Sequence, residues 1–272
     1  MKLLLTLSLL LFLPPLAAYD SVDMDLPNGA SMSLNQFPGD GRTLLLWLPS
    51  ERGLGQGYIP VSLDLAALDY DVWSANLHET YMLPAGRDSL DEVEIDDLLA
   101  LIEAAGERGF VELYLVSSGR GMQLALQAAY LWQQQHPASS LIKGLLTFSP
   151  HLIKGRTEMG EDAENLKIAA YSNLPVYLLQ AQYSTKFARS WEIAQQLEQG
   201  GSQVFIHFLQ GVQGGFQMRP VEDLTRTDLA MREQLPQIFD QAMNLLRQIN
   251  SASLVPGYRM DLDSQDVLQT KI

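Results

Sequence analysis

The run "SSGRG", residues 117–121, concentrates groups that can do chemistry: two hydroxyls, a guanidinium and two glycines. It lies between the apolar run "VELYLVS" (111–117) and the helical stretch "GMQLALQAAYLWQQQ" (121–135), where a strand would turn sharply into a helix. A serine held out at such a join becomes a nucleophile when an imidazole takes its proton and a carboxylate orients the imidazole. The amides that open the helix offer a second chemistry. With Arg120 beside them, they can hold a carboxylate or another small anion. The competing expectation is that Arg120 faces solvent and that Ser117 or Ser118 caps those amides. Metal chemistry has less support: no two histidines stand at helical spacing and no Asp/Glu cluster has loop-ligand spacing. No metal and no cofactor are therefore expected. "GLGQG" (53–57) has three glycines, but the GxGxxG pattern is incomplete and no Lys-Ser/Thr follows, which argues against a phosphate loop.

Positioning these groups requires a scaffold, and one is legible. The runs "TLLLWLP" (43–49), "YDVWSANL" (70–77), "IKGLLTFS" (142–149), "VYLLQAQ" (176–182) and "QVFIHFL" (203–209) join 111–117 as near-continuously apolar segments. Strands of that kind are covered on both faces. Helical patterns lie between them at 89–109, 121–135 and 185–201, and a last helix is expected from about Val221 to Asn250, bent near Pro236. The alternation reads as α/β: one doubly wound, mostly parallel sheet with helices on both faces. The segment before Gly41 can add edge strands. Trp47, Trp73, Trp132 and Trp191 are scattered and read as core.

Composition bounds the rest. Residues 1–18, "MKLLLTLSLLLFLPPLAA", join one positive charge to a short apolar run, two prolines and a small-residue end, the pattern of a secretory signal. Residues 19–250 read as one domain and 251–272 as a C-terminal tail. No second apolar run nears the length of a bilayer span, so no stable membrane insertion is expected once the signal is removed. The chain has 272 residues and no cysteine, hence no disulfide, thiolate nucleophile or acylated cysteine. A periplasmic or secreted location follows as the expectation. The formal net charge of −14 argues against nucleic acid as a partner.

Four segments in order resemble the α/β-hydrolase superfamily, over most of residues 19–250. "TLLLWLPSERGLGQGYIPVSLDLAALDYDVWSANLH" (43–78) is similar to its first core strand, oxyanion-side loop, helix and next strand. "LYLVSSGRGMQLAL" (113–126) resembles the strand, nucleophile elbow and buried helix. "LPVYLLQAQYSTKFARSWEIAQQL" (174–197) resembles the strand that carries the acid, and "SQVFIHFLQGVQGGF" (202–216) the strand and loop that carry the histidine. The resemblance implies a Gly-x-Ser-x-Gly elbow aligned on Gly121, with Ser117 and Gly121 as the small positions. The nucleophile position then holds Gly119, the acid position Ser184 and the base position Gly214. None of the three can do the work of a triad. Pro49-Ser50 replaces the His-Gly often found on the oxyanion side, and proline has no amide hydrogen to donate.

The surviving route to hydrolysis uses Ser118, which puts Val116 and Arg120 where the elbow wants small residues. Its base would be His151, whose loop borders the elbow strand in this topology, with Asp162 or Glu158 to orient it. His78 also follows a strand, His136 ends a helix, and His207 lies within a strand. The expectation is an exported protein with the hydrolase fold and no catalytic residues. It would bind a small-molecule ligand or an envelope protein through Ser50, Ser117, Ser118, Arg120, Gly121 and His151. The alternative is a divergent serine hydrolase using Ser118 and His151.

Overall fold

The computed structural model describes residues 19–155 and 163–252. The signal at 1–18, the tail beyond 252, and Glu158 and Asp162 lie outside the described residues.

Eight strands form one sheet: β1 (Asp20–Asp25), β2 (Ser31–Phe37), β3 (Thr43–Trp47), β4 (Tyr70–Ala75), β5 (Glu112–Ser118), β6 (Ile142–Phe148), β7 (Val176–Tyr183) and β8 (Val204–Gln213). Their order is β1-β2-β4-β3-β5-β6-β7-β8. β1 and β2 pair antiparallel at one edge, and β2 runs antiparallel to β4. The pairs from β4 through β3, β5, β6 and β7 to β8 are all parallel. The helices are α1 (Tyr58–Ala66), α2 (Leu77–Thr80), α3 (Ile95–Glu107), α4 (Gly121–Gln135), α5 (Ser190–Gln199) and α6 (Arg226–Ala252).

The apolar runs are continuous because the sheet is covered on both sides. Leu44, Leu46, Leu113 and Leu115 pack into a layer with α3, α4 and α5. Their alternates Leu45, Trp47, Tyr114 and Val116 pack into a second layer with α1 and α6. Successive strand residues point to opposite faces, so a strand buried on both is mostly apolar on both alternations. Trp47, Trp73 and Trp132 are core, whereas Trp191 is 65% exposed, a departure from the sequence reading.

Helix boundaries also differ from the periodicity: the 185–201 pattern gives a 3-10 turn at Phe187–Arg189 and then α5 over Ser190–Gln199. The 89–109 pattern splits into a 3-10 turn at Ser89–Glu92 and α3, because Val93 and Glu94 are extended and Ser89 turns its hydroxyl to the carbonyls of Glu51 and Gly86. α6 begins at Arg226 rather than near Val221. There Thr225 and Asp228 cap reciprocally: the Asp228 carboxylate accepts from the Thr225 amide and hydroxyl, and Thr225 Oγ1 accepts from the Asp228 amide.

The parallel strands end together. Trp47 is level with Val116, and Ser118, Phe148 and Leu179 stand in one row. The loops beyond that row enclose the site, at the end of the strands where open α/β sheets bind ligands.

Candidate functional site

β5 passes into α4 through a turn with the shape of an elbow. Gly119 sits at the tip with φ +54°, a backbone conformation that costs a side-chain-bearing residue about 1 kcal/mol or more. Its amide donates to the Phe148 carbonyl at 3.1 Å and its own carbonyl accepts from the His151 amide at 2.9 Å. Gly121 answers a different demand: a Cβ there would lie 2.1 Å from the Pro49 carbonyl oxygen. The start of α4 is thus pressed against the loop that follows β3. Ser117 is fully buried and donates to Thr147 Oγ1 at 3.1 Å. Ser118 donates to the Met218 sulfur at 3.1 Å.

A carboxylate fills the space above the tip. Glu51 Oε2 accepts from the Arg120 amide at 3.0 Å, and a Cβ on Gly119 would meet that same oxygen at 2.5 Å. Burial alone would raise the Glu51 pKa. The Arg120 amide, the Lys186 ammonium and the Glu51 amide itself outweigh it, so the carboxyl stays below its ordinary value and is ionised at neutral pH. In acyl-transfer elbows, the amide after the nucleophile and an amide from the loop after the first core strand stabilise a developing oxyanion. Here those two amides, of Arg120 and Glu51, both act on the chain's own carboxylate.

Ser184 and Gly214, the positions that the resemblance assigns to an acid and a base, meet across the ends of β7 and β8. A Cβ on Gly214 would stand 3.2 Å from Ser184 Cβ and Oγ. Gly119, Ser184 and Gly214 therefore face one cavity of about 720 Å³, with Ser50 and Ser118 in the same wall. Of the three, only Ser184 carries a functional side chain, a hydroxyl. Ser50 shapes its own turn, donating to the Gly53 carbonyl and accepting from the Arg52 amide.

Arg120 is 3% exposed and donates to the Ile153 carbonyl at 3.4 Å. Sequence reasoning capped the helix amides with Ser117 or Ser118 and turned Arg120 to solvent; the structure gives the cap to Glu51 and buries the guanidinium. His151 lies close enough to feel Glu51, Lys186 and Arg120. Burial first, then the two cations, push its pKa down to about 4, which leaves it neutral. Its Nε2 is buried without a hydrogen-bond partner among the described residues. Ser118 and His151 do not form a pair: the serine hydroxyl is turned to Met218.

The remaining histidines have structural places. His78 Nε2 lies 3.3 Å from Ser89 Oγ and 3.4 Å from the Glu51 carbonyl. His136 stacks on Trp132, and His207 Nδ1 meets Tyr177 Oη at 2.9 Å. Sequence reasoning missed Glu51, Lys186, Met218 and Arg219. Only Glu51 left a signal, as the single acid in the loop after β3, facing a helix start that had no acid of its own.

No protein-family model matches the chain. No curated protein sequence matches it either. Solved structures do. Carboxyl esterase 2 from the mycorrhizal fungus Tuber melanosporum is similar with a TM-score of 0.62 at 12% identity, over 84% of this chain and 88% of that one. A structure from work on two fungal esterases of Rhizomucor miehei gives 0.61 at 10% identity, over 86% and 85%. An esterase of Pyrobaculum calidifontis gives 0.59 at 12%, over 89% and 88%. Identities this low speak for architecture and leave activity to the site. With this strand order, this elbow and these neighbours, the chain has the α/β-hydrolase fold.

Proposed function

We propose that the protein is an exported, catalytically silent member of this fold that acts by binding a small ligand in the cavity above residues 117–121. The observation that carries the reading is the Glu51 carboxylate on the Arg120 amide. It takes both the place of a nucleophile's side chain and the donor that would stabilise an oxyanion. Silence at Ser184 and Gly214 agrees with it, and so does the engagement of Ser118 with Met218. The cavity, within the few-hundred-Å³ range of small-molecule sites, favours a ligand over an envelope protein as the partner.

A panel of short-chain esters and stoichiometric fluorophosphonate labelling test this directly. The expected result is no turnover above background and no covalent adduct. Labelling at one equivalent that disappears in Ser118→Ala would establish a working serine and overturn the reading.

A further inference from the structure

The charge on the cavity wall runs against the charge of the chain. The whole sequence has 32 acidic and 18 basic residues, yet the wall carries three bases, Arg52, Lys186 and Arg219, and one acid, Glu51. That acid is engaged: the Arg120 amide holds one of its oxygens, and Lys186 Nζ stands 3.9 Å from the other. Among the described residues, this long contact is the one ion pair Lys186 makes, although its side chain is only 26% exposed. Burial, Arg52 and Arg120 all work against the protonated amine, with Glu51 alone favouring it. A desolvated cation beside like charges gains most from an incoming anion.

The rest of the wall is equally specific. Arg219 has its fork on Gln213 Oε1 at 2.6 Å and on the Gly214 carbonyl at 3.0 Å, so it contributes field rather than contacts. Gln217 lines the cavity as well and is 1% exposed. Phe148, Tyr183, Met218 and Pro220 supply apolar surface.

We propose that the cavity takes a small organic anion, its charged head seated at Lys186 with Arg52 beside it and its body against Phe148, Tyr183 and Met218. Carboxylates and phosphate monoesters share that chemistry. The inference rests on the ligand-binding reading and adds the ligand's charge to it.

Calorimetric titration of the full chain with benzoate, phenyl phosphate, benzamide and benzylamine separates the possibilities. Both anions bind, and the tighter one identifies the head group. Benzamide and benzylamine bind about 10-fold or more weakly, the factor expected for one hydrogen bond to a charged group. Lys186→Met weakens the preferred anion by about 10-fold or more, while Lys186→Arg, which keeps the charge, stays within about 3-fold of the parent. Unchanged urea midpoints in both variants confirm that they fold. Equal affinity for charged and neutral probes, or an unchanged affinity in folded Lys186→Met, overturns the anion inference and leaves ligand binding standing. Failure of all four probes at millimolar concentration overturns both.

Discussion

The elbow at Ser117–Gly121 and the pair Ser184–Gly214 face the same cavity, but their surroundings differ. The elbow keeps its shape closely. Gly119 holds a left-handed turn, Gly121 lets the helix start meet the Pro49 carbonyl, and Glu51 fills the space above. The pair at the ends of β7 and β8 keeps only its place on the cavity wall. The elbow shape is part of the packed architecture, and shape alone does not make a working site.

Substitutions that add one carbon break or sharpen this contrast. Gly121→Ala drives a methyl into a backbone carbonyl and is expected to cost about 3 kcal/mol or more, read as a lower urea midpoint at unchanged slope. Gly214→Ala has the Ser184 side chain as its nearest neighbour, at 3.2 Å, and is expected to cost no more than about 1 kcal/mol. Equal costs at the two glycines would erase the distinction.

Next in size is the coupling between Glu51 and the tip. Glu51→Ala removes the partner of the Arg120 amide and is expected to cost about 1–2 kcal/mol. Gly119→Ala is expected to cost about 2 kcal/mol in the parent and about 1 kcal/mol in the Glu51→Ala background, where only the backbone strain remains. A double-mutant cycle with no coupling would show that the carboxylate does not occupy the tip.

The site also sets an acid limit on stability. His151 is depressed from 6.5 to about 4 by burial and neighbouring cations, so its neutral form favours the fold. The unfolded chain binds that proton first, hence stability is full above pH 6.5 and falls as pH drops from 6.5 to about 4. Allowing for partial solvent screening, the loss is about 1–2 kcal/mol, and His151→Gln is expected to flatten it. Glu51, held below its ordinary pKa, adds a further loss below about pH 4.5 as it takes up its proton. The smallest effect belongs to Ser118→Ala. Loss of a weak hydroxyl–thioether contact is expected to shift stability by about 0.5 kcal/mol or less and to leave hydrolysis at background.

Much of the fold was readable because burial on two faces writes itself into composition. The runs at 43–49, 111–117 and 176–182 are apolar on both alternations of the strand apart from a few polar positions, and α4 follows its pattern from Gly121 to Gln135. β8 was read too short. Gly211, at φ +71°, looks like a loop residue, yet its amide is held by Gln182 Oε1 and Val212 is buried, so the strand continues to Gln213. Of the site, the turn at "SSGRG" was legible, and Gly119, Ser184 and Gly214 were singled out through the resemblance alone. The carboxylate at the tip was not legible, since Glu51 is 68 residues before Gly119 in sequence, and only folding places it on the Arg120 amide.

By itself, the sequence determined the layered α/β scaffold and the sharp turn at "SSGRG". Periodicity and residue identity are local properties, and these features follow from them. The tertiary structure decided that an internal carboxylate sits in the amide cradle and that Ser118 turns to Met218. It also decided that Lys186 and Arg52 face a cavity on an otherwise acidic protein. Each of those depends on distances between segments far apart in the chain, and no local pattern encodes a distance.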